Sequence, residues 1–199
     1  MKIAWLIMIV VILCCLGIAV LTCPQYVLGS SQDAHHFAGA VGGDNAYNRG
    51  QEPEDWWGEI KRTHGHVGPW NVLGWRIGKA ALRELDTKWG RHELDIICYV
   101  PLKTPYSCTA DGLVIGSGNT IGRLDLRLAE VVSLEFIHVC VRRKDGTGPV
   151  LIFRPRLSHL RHIDAPKPQE LEKLSRECST LKESDLFEIQ RVTTAKSQK

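Results

Sequence analysis

An α+β fold is predicted, in the form of an N-terminal transmembrane or signal helix followed by a helical pair packed on a mainly antiparallel sheet. Three observations carry that prediction. An unbroken apolar run opens the chain, two helical patterns come next, and strand-like runs then follow one another without regular strand–helix alternation. With 199 residues the chain has room for one domain with accessories and can bury a real core.

Ile3 to Leu21 contains no charged residue. As a helix rising about 1.5 Å per residue it would span roughly 30 Å of hydrocarbon, longer than the apolar core of most cleaved leaders. An uncleaved membrane anchor over residues 1–23 is the leading expectation. A cleaved signal with its exit near Val27-Leu28-Gly29, or a lipoprotein modified at Cys23, are the alternatives. Lys2 is the only Lys or Arg before Arg49, which places the body outside the cytoplasm, secreted or periplasmic if the leader is removed. Residues 24–51, rich in Gly, Ala, Ser, Asn and Gln, predict a flexible tether, in which the His35-His36 pair is incidental.

A folded domain is expected over 52–165. Glu52-Pro53-Glu54-Asp55 suits a helix first turn, with Trp56, Trp57 and Ile60 on the apolar side. Pro69 opens a second helix in which Leu73, Ile77, Ala81 and Leu85 recur every fourth residue. Gly74 and Gly78 would each cost about 1 kcal/mol in a helix interior, so their spacing predicts a groove where another backbone packs closely. Strands are predicted over Leu94 to Val100 and Val131 to Val141, and Asp145-Gly146-Thr147-Gly148 turns the latter back into Val150 to Phe153. The Gly-rich run 112–122 reads as a loop. Residues 166–199 form a C-terminal helix and tail, helical over 169–182 with a short strand at Phe187 to Val192.

Composition excludes several function classes. A net charge of +3 with scattered basic residues, and no base-stacking or phosphate-gripping motif, argues against nucleic acid. Seven cysteines without a Cys-x-x-Cys pair exclude a structural zinc finger. The glycine spacing after Asp111 is not a dinucleotide fingerprint.

Two segments carry the chemistry. In His64-Gly65-His66, a glycine lets both imidazoles turn toward one point, and Gly68-Pro69 then starts a helix whose unsatisfied amides favour an anion or thiolate. Alone, such a motif is more often a turn than a site. Cys108-Thr109-Ala110-Asp111 places a thiol three residues before a carboxylate, and by itself Cys108 reads as core.

Together the segments resemble the FmdE family of formylmethanofuran dehydrogenase components. That family carries a His-Gly-His-x-Cys-Pro-Gly stretch entering a helix, with a Leu-Gly-Tyr-Arg-like continuation. It also carries a Cys-x-x-Asp segment leading to Thr-Gly-Cys-Thr-x-Gly-Lys. "HGHVGPWNVLGWRIG" follows the first in order and spacing, and "SCTADGLVIGSGNTIGRLDL" aligns with the second without a gap. The resemblance extends loosely over residues 52–165. It implies an α+β core and a role accessory to redox or one-carbon metabolism. It also implies that His64, His66 and Cys108 are candidate ligands of Zn or another divalent metal, with Asp111 as the catalytic or supporting carboxylate. The chain departs from the family pattern where Gly68 and Asn119 stand at cysteine positions and Trp70 replaces a glycine. The Cys-rich zinc-binding extension of some members is not expected here.

The leading functional expectation is a membrane-tethered, extracytoplasmic domain with a divalent-metal or small-ligand site at His64, His66 and Cys108. One alternative is a catalytically silent interaction or homodimerisation subunit of a membrane complex, with Trp56, Trp57, Trp70 and Trp75 partly at the contact. The other is a metal-dependent hydrolase with Asp111 as base.

Overall fold

The computed structural model describes residues 50–164 and 166–193. The expected membrane span at 3–21, the tether as far as 49 and the His35-His36 pair lie outside the described residues. No helix among the described residues is long and apolar enough to cross a membrane.

Helix α1 (Trp56–His64) starts where Asp55 Oδ1 accepts a hydrogen bond from the Gly58 amide at 2.8 Å. It ends at Gly65, whose φ of 93° is the left-handed conformation that favours glycine. Helix α2 (Pro69–Glu84) begins only four residues later, with Pro69 at its first position and Gly68 as its N-cap. Strand β1 (Leu94–Val100) leads through a loop into helix α3 (Cys108–Ser117), and strand β2 (Leu126–Glu130) follows.

A 3₁₀ turn at Leu134–Phe136 precedes the hairpin of β3 (His138–Arg143) and β4 (Val150–Pro155). Short helix α4 (Leu157–His162), a second 3₁₀ turn, α5 (Leu171–Thr180), the single turn α6 (Glu183–Leu186) and strand β5 (Phe187–Val192) complete the domain.

The sheet runs β2-β1-β3-β4-β5. Its β1–β2 pair is parallel, with Ile96 opposite Leu126, and the other three pairs are antiparallel. One row of inward residues crosses it: Cys98 opposite Val139, Val139 opposite Phe153, Phe153 opposite Ile189. The first three of that row are fully buried and Ile189 packs partly buried at its edge. Leu73 and Ile77 from α2 and Leu113 from α3 join the same core. Fully burying each such side chain contributes about 1.5–3 kcal/mol.

The glycine groove expected on α2 is present, and its occupant is α3. A Cβ on Gly74 would lie 2.0 Å from the Thr109 carbonyl oxygen, and one on Gly112 would lie 1.9 Å from that of Asn71. Gly78 and Gly116 meet the opposite helix in the same way one turn further along. Four glycines at four-residue spacing on two helices thus bring the backbones together.

The structure corrects four expectations. The first six residues of the Gly-rich run 112–122 are helical, because the glycines serve close packing and the apolar Leu113 and Ile115 are buried. The most intimate helical pair is therefore α2–α3, two helices separated by a strand. The chain also contains one strand–helix–strand crossover, β1–α3–β2, which makes the sheet mixed and accounts for its parallel pair. The long strand expected at 131–141 is divided: β2 ends at Glu130, a turn intervenes, and β3 starts at His138. Strands β1 and β5 stand where the sequence places them.

A candidate site where two helices begin

The crossover sets the site. Outside the carboxyl end of a parallel strand, helix N-termini gather and side chains from separate elements can meet. Here the loop leaving β1 delivers Cys108 and Asp111 to the first turn of α3. The Gly74–Gly112 contact holds that turn against the start of α2, where His64, His66 and Gly68 lie.

His64 Nδ1 and Asp111 Oδ2 are 2.7 Å apart, although 47 residues separate them in the chain. The His64 side chain is 15% exposed and that of Asp111 is 52% exposed, so the pair opens to solvent on the carboxylate side. A carboxylate on one imidazole nitrogen fixes the tautomer and leaves Nε2 for a ligand or a proton. The rings of His64 and His66 stand 4.8 Å apart at 48°. The fold thus sets His64 against Asp111 and the His66 ring beside that of His64.

Cys108 lies half-buried, one helical turn before Asp111. Burial pushes its thiol up and the Asp111 charge adds to the shift, so the sulfur stays protonated near neutral pH. That is the environment of a neutral thiol and not of a thiolate nucleophile. The other three described cysteines, Cys98, Cys140 and Cys178, are buried. Cys98 and Cys178 are both raised to about 12 by burial. No group of three or more His, Cys, Asp and Glu side chains among the described residues is arranged to hold a metal ion.

Gly68 and Asn119, the two positions where the resemblance implies cysteines, have separate fates. A Cβ on Gly68 would stand 3.7 Å from His66 Nε2 and 3.3 Å from Asn71 Oδ1. A side chain there would point into the site, and glycine supplies none. Asn119 is at the other end of α3 and fully buried. Its Nδ2 donates to the Leu94 carbonyl at 2.8 Å and to the Asp125 carbonyl at 3.2 Å, tying the starts of β1 and β2. The two family positions are separated by the length of α3, about 15 Å for ten residues.

Asn71 is a residue beneath the site that sequence reasoning did not single out. Completely buried, it accepts from the Gly68 amide at 3.0 Å and donates to the Cys108 carbonyl at 3.0 Å. One amide side chain thus joins both segments of the motif. A polar residue at the third position of a Pro-initiated helix was the available signal. Next to it, Trp70 Nε1 and Thr109 Oγ1, on the first turns of α2 and α3, are buried without a hydrogen-bond partner. Of the other indoles, Trp56 stacks on Trp75 at 3.9 Å and meets Trp57 edge-on, with the Arg176 guanidinium over Trp57 at 4.8 Å.

A search of curated proteins found no match. The profile of the family described as FmdE, molybdenum formylmethanofuran dehydrogenase operon, does match residues 63–195, a span that includes both halves of the site and all five strands. The chain belongs to the FmdE family.

Proposed function

We propose that this chain is a membrane-tethered, extracytoplasmic FmdE-type domain with an accessory role related to formylmethanofuran dehydrogenase chemistry. Its working part is a small-ligand and proton-handling site built on His64, His66 and Asp111. The observation that carries this reading is the 2.7 Å contact between His64 Nδ1 and Asp111 Oδ2 at an opening of the surface. Asp111 acts as a positioning residue: it holds the His64 Nδ1 proton, turns Nε2 away from itself and stabilises the imidazolium when Nε2 takes up a proton. His66 extends the polar rim, and the amides at the start of α2 favour a ligand carrying negative charge. The 19-residue apolar run at 3–21 and the sparse positive charge before Arg49 support the tether and the outward location.

A divalent metal, zinc included, would be held by His64 Nε2 and His66 with Cys108 as third donor. The residues fit that role incompletely. Gly68 has no donor, and no three side chains are gathered for it among the described residues. No chemical step is therefore assigned to a metal.

Nitrogen-15 histidine NMR of the full chain tests the proton role. His64 should hold its proton on Nδ1 in the wild type and lose that tautomer preference in Asp111→Asn. An unchanged His64 tautomer in that variant would sink the reading. Zinc titration of the wild type and of His64→Ala then decides whether the pair alone retains a cation.

A further inference from the structure

The two hydrogen bonds of Asn71 differ in reach. Its Oδ1 accepts from the Gly68 amide at 3.0 Å, as a polar side chain at the third position of a helix ordinarily does for the N-cap. Capping needs nothing more. Its Nδ2, however, donates at 3.0 Å to the carbonyl of Cys108, 37 residues along the chain and on the neighbouring helix. The side chain is completely buried, so solvent competes for neither bond.

The second bond matters because of where it falls. Gly74 and Gly78 on α2, with Gly112 and Gly116 on α3, set how closely the two backbones approach. They fix the register less sharply. Small residues recur every four positions on both helices, so a slide of one turn, about 6 Å, would again present glycine to the facing backbone. A buried polar group that is satisfied in one register only removes such an ambiguity. Cys108 opens α3 and Asp111 stands one turn further on, while Gly68 caps α2 two residues after His66. Asn71 therefore ties together the same two segments that His64 and Asp111 bridge at 2.7 Å.

We infer that Asn71 is a positioning residue of the site: by holding the start of α3 against the start of α2, it sets the Asp111 carboxylate at His64 Nδ1. It acts through two backbone groups, the Gly68 amide and the Cys108 carbonyl. The glycines supply the closeness of the helices and Asn71 supplies their alignment. The tautomer of His64 then depends on a side chain buried beneath it, as an imidazole's proton placement depends on the partner that its other nitrogen meets.

The role rests on the proton reading of the His64–Asp111 pair, and one experiment keeps the two apart. Nitrogen-15 histidine NMR is recorded on the full chain, as wild type and as Asn71→Leu, which keeps the branch at Cγ and removes both polar ends. The wild type should hold the His64 proton on Nδ1. The variant should still unfold cooperatively, but with His64 as a mixture of tautomers. His92, which faces Asp125 beyond the other end of α3, should keep its wild-type spectrum. A folded variant with the His64 tautomer intact would make Asn71 a cap and overturn its positioning role alone. A wild-type His64 without an Nδ1 preference would overturn the proton reading as well. Should Asn71→Leu not fold, Asn71→Ser, whose side chain is too short to reach Cys108, is read in the same way. Hydrogen exchange of the wild type adds a check that needs no variant. The Asn71 side-chain amide protons should exchange roughly tenfold or more slowly than those of an unstructured chain, and free exchange there would overturn the tie to Cys108.

Discussion

Helix α3 carries a His–Asp pair at each end, and the two could hardly differ more in consequence. At its start, His64 and Asp111 meet at 2.7 Å with the carboxylate half in water. Beyond its end, His92 and Asp125 meet at 3.0 Å, but there the carboxylate is sealed and also bound to the Thr120 amide and Lys144. Burial alone would raise the Asp125 carboxyl. The hydrogen bonds from His92 and Thr120 and the Lys144 charge outweigh it and hold that group below the usual carboxylate range. The same two side chains make a structural hub where every valence is satisfied and a reactive opening where solvent still reaches the pair. Residue type does not distinguish them; satisfaction does.

The largest expected effect removes the helix that both pairs share. Gly112→Ala would drive a Cβ into the Asn71 carbonyl, and no flexible atom can yield, so loss of cooperative unfolding by circular dichroism is expected. Next comes the closed pair. Asp125→Ala leaves His92, Lys144 and the Thr120 amide without their partner and should cost about 3 kcal/mol, read as a fall in the denaturation midpoint. The open counterpart Asp111→Ala should change stability by less than about 0.5 kcal/mol while freeing the His64 Nδ1 tautomer. Equal losses in the two variants would break the comparison.

The pH dependence is expected to have two windows. His159 is buried against Cys178 and its pKa is lowered to about 4 by burial and by the neighbouring His162 charge. The folded protein then binds fewer protons than the unfolded chain below pH 6.5, so stability falls from about pH 6.5 down to about 4. His159→Gln should flatten that decline. The stability that Asp125 contributes is present above the ordinary aspartate range and is lost only in stronger acid, as its folded carboxyl takes up a proton. Urea titrations at a series of pH values separate the two.

The smallest change in stability should accompany the sharpest change in chemistry. Gly68→Cys sets a thiol beside His66 Nε2 at the start of α2, where a thiolate is favoured, and should confer zinc binding measurable by calorimetry. Asn119→Cys, at the other family position, should lose about 1–2 kcal/mol with its two amide bonds and gain no metal.

Much of this was legible in the sequence, for identifiable reasons. The Asp55 cap, Pro69 and the four-residue recurrence of Leu73, Ile77 and Ala81 act within a turn or two, so local patterns located α1 and α2. The same held for β1 and β5. The pairing of His-Gly-His with Cys-x-x-Asp was recoverable because both segments follow one family pattern. Gly112 and Gly116 misled because glycine signals a loop and a close helix crossing equally well. Only a partner decides between them, and α2 stands well back in the chain, beyond β1.

What the sequence determined by itself was the family, the local elements and the residue types at the site, since each depends on near neighbours or on the order of motifs. The tertiary structure alone decided that the sheet is mixed, that α3 is the partner of α2, and that Asn119 is a strut. It also decided which His–Asp pair stays open. Those outcomes turn on contacts between residues 25 to 47 positions apart, where burial and unsatisfied valence are set by what the rest of the chain brings alongside.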